Sequence, residues 1–297
     1  MKKKIRLFLS IFIVILTIYE FIHYLQGHRS IVEQLAHLNP VLIVSLIILY
    51  LIILLVLTLI MQASLTFFGF KISNFDNLLL NAYSIVVNFF MFGQIGPALR
   101  AVYLKKKFQL SIKKFIFITL IYYGIYSVLS VLLIIFGSKI KWYYGVLAVV
   151  LVLLISFLII RWFFVKKLSK NWSVSWHLNG LIKLIIVTAI QLLLQTIIYG
   201  LELDSISPVS WHQIMAYSGF ANLSLFVSIT PAGIGIRETF LILSERIHHI
   251  SSSQIVAASI IDRSVYLIFL LGVVIFLILF HAGKKIKKMS NVEVFDN

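Results

Sequence analysis

Apolar residues fill six long runs, at about 7–25, 41–62, 115–136, 143–165, 181–200 and 255–280, separated by short polar pieces. Runs of roughly 20 such residues are long enough for an α-helix to cross about 30 Å of hydrocarbon. Two further segments, 81–99 and 214–236, are apolar but diluted. Asn81, Asn88, Gly93, Gln94 and Gly96 interrupt the first, and Asn222, Thr230, Gly233 and Gly235 the second.

The two diluted segments resemble one another. One reads Asn88-(x4)-Gly93-Gln94-Ile95-Gly96-Pro97-Ala98-Leu99-Arg100, the other Asn222-(x7)-Thr230-Pro231-Ala232-Gly233-Ile234-Gly235-Ile236-Arg237-Glu238. Each breaks a hydrophobic run with Gly and Pro and follows the break with an arginine. Backbone leaves the helix at membrane depth only where it lines a cavity, so paired breaks in two halves point to a substrate site. Kinked helices with incidental Gly and Pro are the plainer reading.

Charge separates re-entry from full crossing. If both segments enter and return, 20 of the 26 Lys and Arg residues fall on the cytoplasmic side, leaving Arg29, Lys139, Lys141, Arg237, Arg246 and Arg263 outside. Full crossing would export Lys105-Lys106-Lys107 and Lys166-Lys167, against the positive-inside bias. The expected fold is therefore an all-α polytopic membrane protein with six full transmembrane helices and two re-entrant broken helices arranged as an inverted repeat. Eight transmembrane helices are the alternative. Residues 1–297 form one integral membrane domain with approximate halves 1–140 and 141–283, and 284–297 are a basic then acidic cytoplasmic tail. Both termini fall in the cytoplasm. The first run follows Met1-Lys2-Lys3-Lys4-Ile5-Arg6, is too long for a signal peptide and lacks a small-residue cleavage site, so it reads as an uncleaved span.

Composition supports this reading: 61% of residues are hydrophobic and 12% charged. The net charge of +16 sits in clusters between apolar runs, not on a basic face interleaved with aromatics, and argues against a nucleic-acid partner. The chain has no Cys, which removes disulfides, thiolate metal sites and thiol nucleophiles.

Pro97 and Pro231 read as first residues of helices, where a missing N–H costs nothing, with Thr230 as a cap. A helix that starts in a membrane cavity aims free N–H groups and a partial positive charge at its contents, which favours an anion such as phosphate. Arg100 and Arg237 add guanidinium groups suited to bidentate phosphate contact. An arginine at bilayer depth costs about 2.5 to 3.5 kcal/mol, so it serves a purpose there or snorkels to the headgroups. The repeat is approximate: Arg100 lies three residues beyond Pro97, and Arg237 six beyond Pro231.

Other polar residues carry less. Asp262 and Arg263 lie early in the last run, where Asp262 is expected to neutralise Arg237 or Arg263 or to form a structural ion pair. Glu20 and His23 stand one helical turn apart near the outer end of the first span, where interfacial exposure explains them. His248-His249 is a poor metal signal, because adjacent helical residues point apart and no third ligand is evident; neither metal nor cofactor is expected. Tyr122-Tyr123 and Trp142-Tyr143-Tyr144 read as lipid-facing filler and interface anchors. Ser251-Ser252-Ser253 reads as a loop and helix start, and no nucleophile elbow, Walker A loop or Rossmann fingerprint occurs.

Pro231-Ala232-Gly233-Ile234-Gly235-Ile236-Arg237-Glu238 resembles the Pro-x-Gly-x-Gly-x-Arg-Glu signature of the lysylphosphatidylglycerol synthase transmembrane family. That family includes the flippase domain of the multiple peptide resistance factor and many stand-alone proteins. Gly93-Gln94-Ile95-Gly96-Pro97-Ala98-Leu99-Arg100 is similar to its first-half pattern Gly-x-x-Gly-Glu-x-x-Arg, with Pro97 in place of the usual Glu. Arg263 and Tyr266 match an Arg-x-x-Tyr element, whereas the corresponding Glu-Arg is missing from 117–124.

The resemblance implies movement of a lipid with a charged or sugar-bearing headgroup between leaflets, in a cell membrane, bacterial by the same comparison. In the full-length resistance factors a soluble domain transfers lysine to phosphatidylglycerol, and this chain is expected to lack it. The residues expected at the headgroup are Arg100, Arg237, Glu238, Gly96, Gly233, Gly235, Asn88, Asn222, Asp262, Arg263 and Tyr266. Two other classes stay open: a membrane partner or regulator of a lipid-modifying glycosyltransferase, and an intramembrane lipid enzyme. For the latter only Asp262, Glu238 and Glu20 offer an acid. A lipid-modifying enzyme and a second copy of the chain are the candidate protein partners.

Overall fold

The computed structural model describes residues 38–67, 69–90, 95–138, 178–227 and 235–293, parts of 143–158, and the single residues 230 and 233. The expected first span, with Glu20 and His23, and most of the expected span at 143–165 lie outside the described residues.

The protein is an all-α polytopic membrane protein. Its described helices are α1 (Pro40–Phe67), α2 (Asn74–Phe90), α3 (Ile95–Phe108), α4 (Ile112–Gly137), α5 (Leu178–Asp204), α6 (Trp211–Ser224), α7 (Ile236–Leu243), α8 (Glu245–His248) and α9 (Ser252–Glu293). Long apolar windows in α1, α4, α5 and α9 make them membrane-length helices. They match the expected spans 41–62, 115–136, 181–200 and 255–280 with extra turns at the ends. Val44, Ile48, Leu51 and Leu55 on α1 leave an apolar stripe exposed, as do Ile182, Ile186 and Leu193 on α5. Such stripes suit hydrocarbon rather than water.

The diluted segments are not single helices. Each is a helical hairpin whose limbs run antiparallel. In the first, the Lys107 ammonium donates to Asp76 at 2.8 Å near the open end, Arg100 donates to Asn81 at 3.3 Å, and the Gly96 N–H donates to Asn88 Oδ1 at 2.6 Å near the tip. In the second, Gln213 donates to the His249 carbonyl at 3.0 Å at the open end, and Phe220 meets Phe240 nearer the tip, ring centroids 6.1 Å apart. The hydrogen bonds of Lys107 to Asp76 and Tyr103 hold its pKa above the ordinary lysine value.

The helix boundaries repeat. Ser73 caps α2 and Ser210 caps α6, each through a bond from the N–H three residues on. Ser111 and Ser251 cap α4 and α9 in the same way. Gln109 and His249, two residues before those caps, both take positive φ, at 55° and 58°. Each is followed by a fully buried aliphatic residue, Leu110 or Ile250. One unit is thus α1, a hairpin and α4, and the other is α5, a hairpin and α9.

The units are inverted. Phe67 packs at the start of α5 by Gly180, so closely that a Cβ added to this glycine would lie 2.8 Å from the Phe67 Cα, and Tyr50 bonds Glu202 near the other end of α5 at 3.2 Å. The equivalent helices α1 and α5 therefore run antiparallel, and the hairpins enter from opposite ends of the frame. Each final helix packs on the other unit's hairpin: α4 along α6 through Tyr126 and Asn222, and α9 along α2 through His281 and Tyr83.

Candidate functional site

The hairpin tips meet a cavity of about 610 Å³ lined by residues from both units. Arg100, Arg237, Arg263, Asp262, Asn88, Gly233 and Tyr266 all face it. Gly96, Gly235, Glu238 and Asn222 support its walls.

On the second-unit side, two adjacent residues of α7 clasp two adjacent residues of α9. Arg237 Nη1 lies 2.6 Å from Asp262 Oδ2, and the Arg263 guanidinium pairs with Glu238 Oε1. All four side chains are mostly buried. Glu238 also accepts the Gly235 N–H at 2.7 Å, so its carboxylate both caps α7 and holds α9. Gly235 sits at φ 80° and Gly233 at φ 70°, a region that penalises a Cβ. The Arg237 guanidinium carbon lies 5.0 Å from the centre of the Tyr199 ring, a cation–π contact.

The helix after the second break starts at Ile236 rather than at Pro231, which lies outside the described residues. Arg237 consequently occupies the first turn of α7. In the first unit α3 starts at Ile95, so Pro97 is its third residue; the first turn still needs no N–H partner there. The Asn88 carboxamide supplies the cap that Glu238 supplies in the second unit. A Cβ on Gly96 would lie 2.7 Å from Asn88 Oδ1, so glycine admits this cap. Asn222 has a different place: its side chain lies 3.0 Å from the Tyr126 hydroxyl and 3.4 Å from Ser218 Oγ. The two asparagines are therefore not equivalent, and the registers of the two segments agree better from Ser73 and Ser210. Arg100 and Arg237 each stand 27 residues after that cap.

On the first-unit side the electrostatics differ. Arg100 donates to Asn81 Oδ1 at 3.3 Å and, among the described residues, pairs with no carboxylate. Its Nε is buried without a hydrogen-bond partner. Where Asp262 and Arg263 stand on α9, the first unit's α4 has Tyr122 and Tyr123, and both line the cavity. Tyr122 donates to Gln191 at 2.9 Å, and Tyr126 lies 3.1 Å from Gln195. These tyrosines are thus cavity walls, not lipid-facing anchors, because Gln191 and Gln195 on α5 give their hydroxyls partners inside the bundle. The paired i, i+4 spacing of Tyr122/Tyr126 and Gln191/Gln195 is the signal that would have found them.

Glu202 is a further acid that the sequence reading omits. It is 1% exposed and meets the Tyr50 hydroxyl at 3.2 Å, which also donates to Asp262 Oδ1 at 2.6 Å. Its position two residues beyond the run 181–200 reads as a boundary charge until α1 and α9 close over it. His248 holds the chain reversal after α8 together. It is fully buried, accepts the Ile250 N–H at 3.1 Å on Nδ1 and faces the Leu241 carbonyl with Nε2 at 2.9 Å.

The cavity thus presents one uncommitted guanidinium, two guanidiniums held by acids, and a wall of tyrosine and glutamine. This arrangement suits an anion carrying hydroxyl or other polar groups. No curated protein is similar enough to match the chain. The family model described as the lysylphosphatidylglycerol synthase TM region matches residues 5–273, and the chain belongs to that family.

Proposed function

We propose that the protein is a lipid flippase that moves a phospholipid, aminoacyl-phospholipid or glycolipid headgroup between the leaflets of the cell membrane, with both termini in the cytoplasm. The observation that carries this reading is Arg100: a largely buried cation with an unpartnered Nε that faces a cavity of about 610 Å³ and, among the described residues, pairs with no carboxylate. A buried cation without a counter-ion is expensive, and a headgroup phosphate supplies the missing charge. The inverted hairpins support the reading further, since each gives the cavity a broken element from one end of the frame.

A headgroup enters from the cytoplasmic leaflet and its phosphate meets Arg100 first, because Arg237 is already engaged by Asp262. The phosphate then competes with Asp262 for Arg237, and Tyr122, Tyr123 and Tyr126 face the headgroup's polar groups. Gly96 leaves room for the Asn88 cap, Gly233 and Gly235 take the positive φ that precedes α7, and Tyr266 lines the same cavity. Protein reconstituted into liposomes is expected to move a labelled anionic phospholipid across the bilayer, and Arg100→Ala to abolish that movement. Transport by the variant at the parent's rate would sink the reading.

A further inference from the structure

Behind the Arg237–Asp262 pair lies a proton count that does not close with ionised carboxylates. Asp262 Oδ2 accepts from Arg237 at 2.6 Å and Oδ1 from the Tyr50 hydroxyl at 2.6 Å. The same hydroxyl lies 3.2 Å from Glu202 Oε1. A phenol has one proton, and the shorter contact takes it. Glu202 is then a 1% exposed carboxyl with no hydrogen-bond donor and no cation of its own among the described residues. The single Tyr50 hydroxyl thus stands between the two carboxyl groups and brings them together in the bundle interior. Two carboxyl groups this close, sharing one cation that bonds only Asp262, do not both stay ionised.

We infer that Glu202, Tyr50 and Asp262 form a proton-binding site, in which Glu202 holds one proton while the Arg237–Asp262 pair is closed. Tyr50 from α1 touches Glu202, and the other titratable groups close enough to act on it electrostatically are Tyr217 from α6, Arg237 from α7, Asp262 from α9 and Tyr199 from its own helix. Arg237 is the one cation among them, and Asp262 neutralises it. The closed cluster is thus neutral overall: one guanidinium, one carboxylate, one carboxylic acid and one phenol.

The cluster also links protons to anions, a step that rests on the proposed transport. When a phosphate draws Arg237 away, Asp262 loses its cation, and one proton from the water compensates it. Both carboxyls are then neutral and the phosphate pairs with Arg237, so one anion binds together with one proton. Anion engagement at Arg237 accordingly strengthens as pH falls.

The test for the proton is spectroscopic and needs no transport. Infrared spectra of the full chain in lipid at neutral pH are expected to contain the carbonyl stretch of a protonated carboxyl group. That band is expected to shift in deuterated water, to disappear in Glu202→Gln and to persist in Glu245→Gln. Absence of the band, or its persistence in Glu202→Gln, overturns the proton site whatever the protein transports. In parallel, movement of a labelled anionic phospholipid in liposomes is expected to rise about tenfold for each unit of pH lowered, over the range in which one proton is taken up. Flat pH dependence in a transporting protein overturns the linkage. The band in a protein that moves no lipid at any pH leaves the proton site standing and removes the transport reading.

Discussion

Asp262 reaches across from α9 to hold Arg237 at 2.6 Å, whereas Arg100, at the same distance along the other unit, has among the described residues the Asn81 carboxamide at 3.3 Å and no carboxylate. Two arginines that look alike in sequence are therefore in opposite electrostatic situations. One is committed until something competes with its carboxylate, and the other is open.

Stability separates the two arginines. Asp262→Ala leaves the Arg237 guanidinium buried and unpaired, and loss of about 3–5 kcal/mol is expected, as for other broken buried pairs. Arg237→Ala together with Asp262→Ala should recover most of that loss, since no charge is stranded. Arg100→Ala should cost little or raise the melting temperature, because it removes a cation without a carboxylate partner. Thermal unfolding of the three variants in one detergent checks the order.

The opposite entry of the hairpins predicts a labelling pattern. The sequence has no Cys, so single cysteines can be introduced at the exposed Lys106 and Ser251, at the open ends of the two hairpins. An impermeant thiol reagent applied to intact cells is expected to label position 251 and spare 106. Labelling of both from one side would rule out the inverted arrangement in the membrane.

Tip geometry depends on the Asn88 carboxamide. Asn88→Ala removes the acceptor of the Gly96 N–H and is expected to cost about 0.5–2 kcal/mol, the usual range for a lost helix cap. Gly96→Ala should cost at least as much, since its Cβ would meet Asn88 Oδ1 at 2.7 Å and push the cap away. Unfolding midpoints of both variants measure the effect.

At the open end of the second hairpin, His248 sets a pH limit. Burial holds its imidazole pKa below the ordinary value, outweighing the bond to the Leu241 carbonyl. The unfolded chain therefore binds a proton that the folded one refuses, and stability falls as pH drops below about 6.5. His248→Gln is expected to flatten the dependence of melting temperature on pH below about 6.5.

Much of the fold was legible because hydrocarbon imposes a length. Runs at 41–62, 115–136, 181–200 and 255–280 became membrane-length helices, and Gly96, Pro97, Gly233 and Gly235 stand at or just before the starts of the returning hairpin limbs. Lys105, Lys106 and Lys107 pointed to a hairpin that returns, and Asp76 opposite Lys107 bears out the antiparallel limbs. The match of Ser73 with Ser210 and of Gln109 with His249 was harder to see. Ser73-x-x-Asp76 and Ser210-x-x-Gln213 share a cap spacing that is common at helix starts, while Gln109 and His249 differ in type and agree only in backbone position.

The sequence alone determined the membrane class, the two broken segments, and the arginine after each, because spans and breaks are local properties of composition and backbone chemistry. It left open which arginine is free. That depends on Asp262, 25 residues from Arg237, and on the tyrosines that occupy the equivalent places in the first unit. Glu202, which the sequence reading omits, likewise becomes a buried acid only where α1, α5 and α9 pack together around it. Only tertiary contact decides whether a buried charge is paired, since its cost depends on the groups that replace water around it.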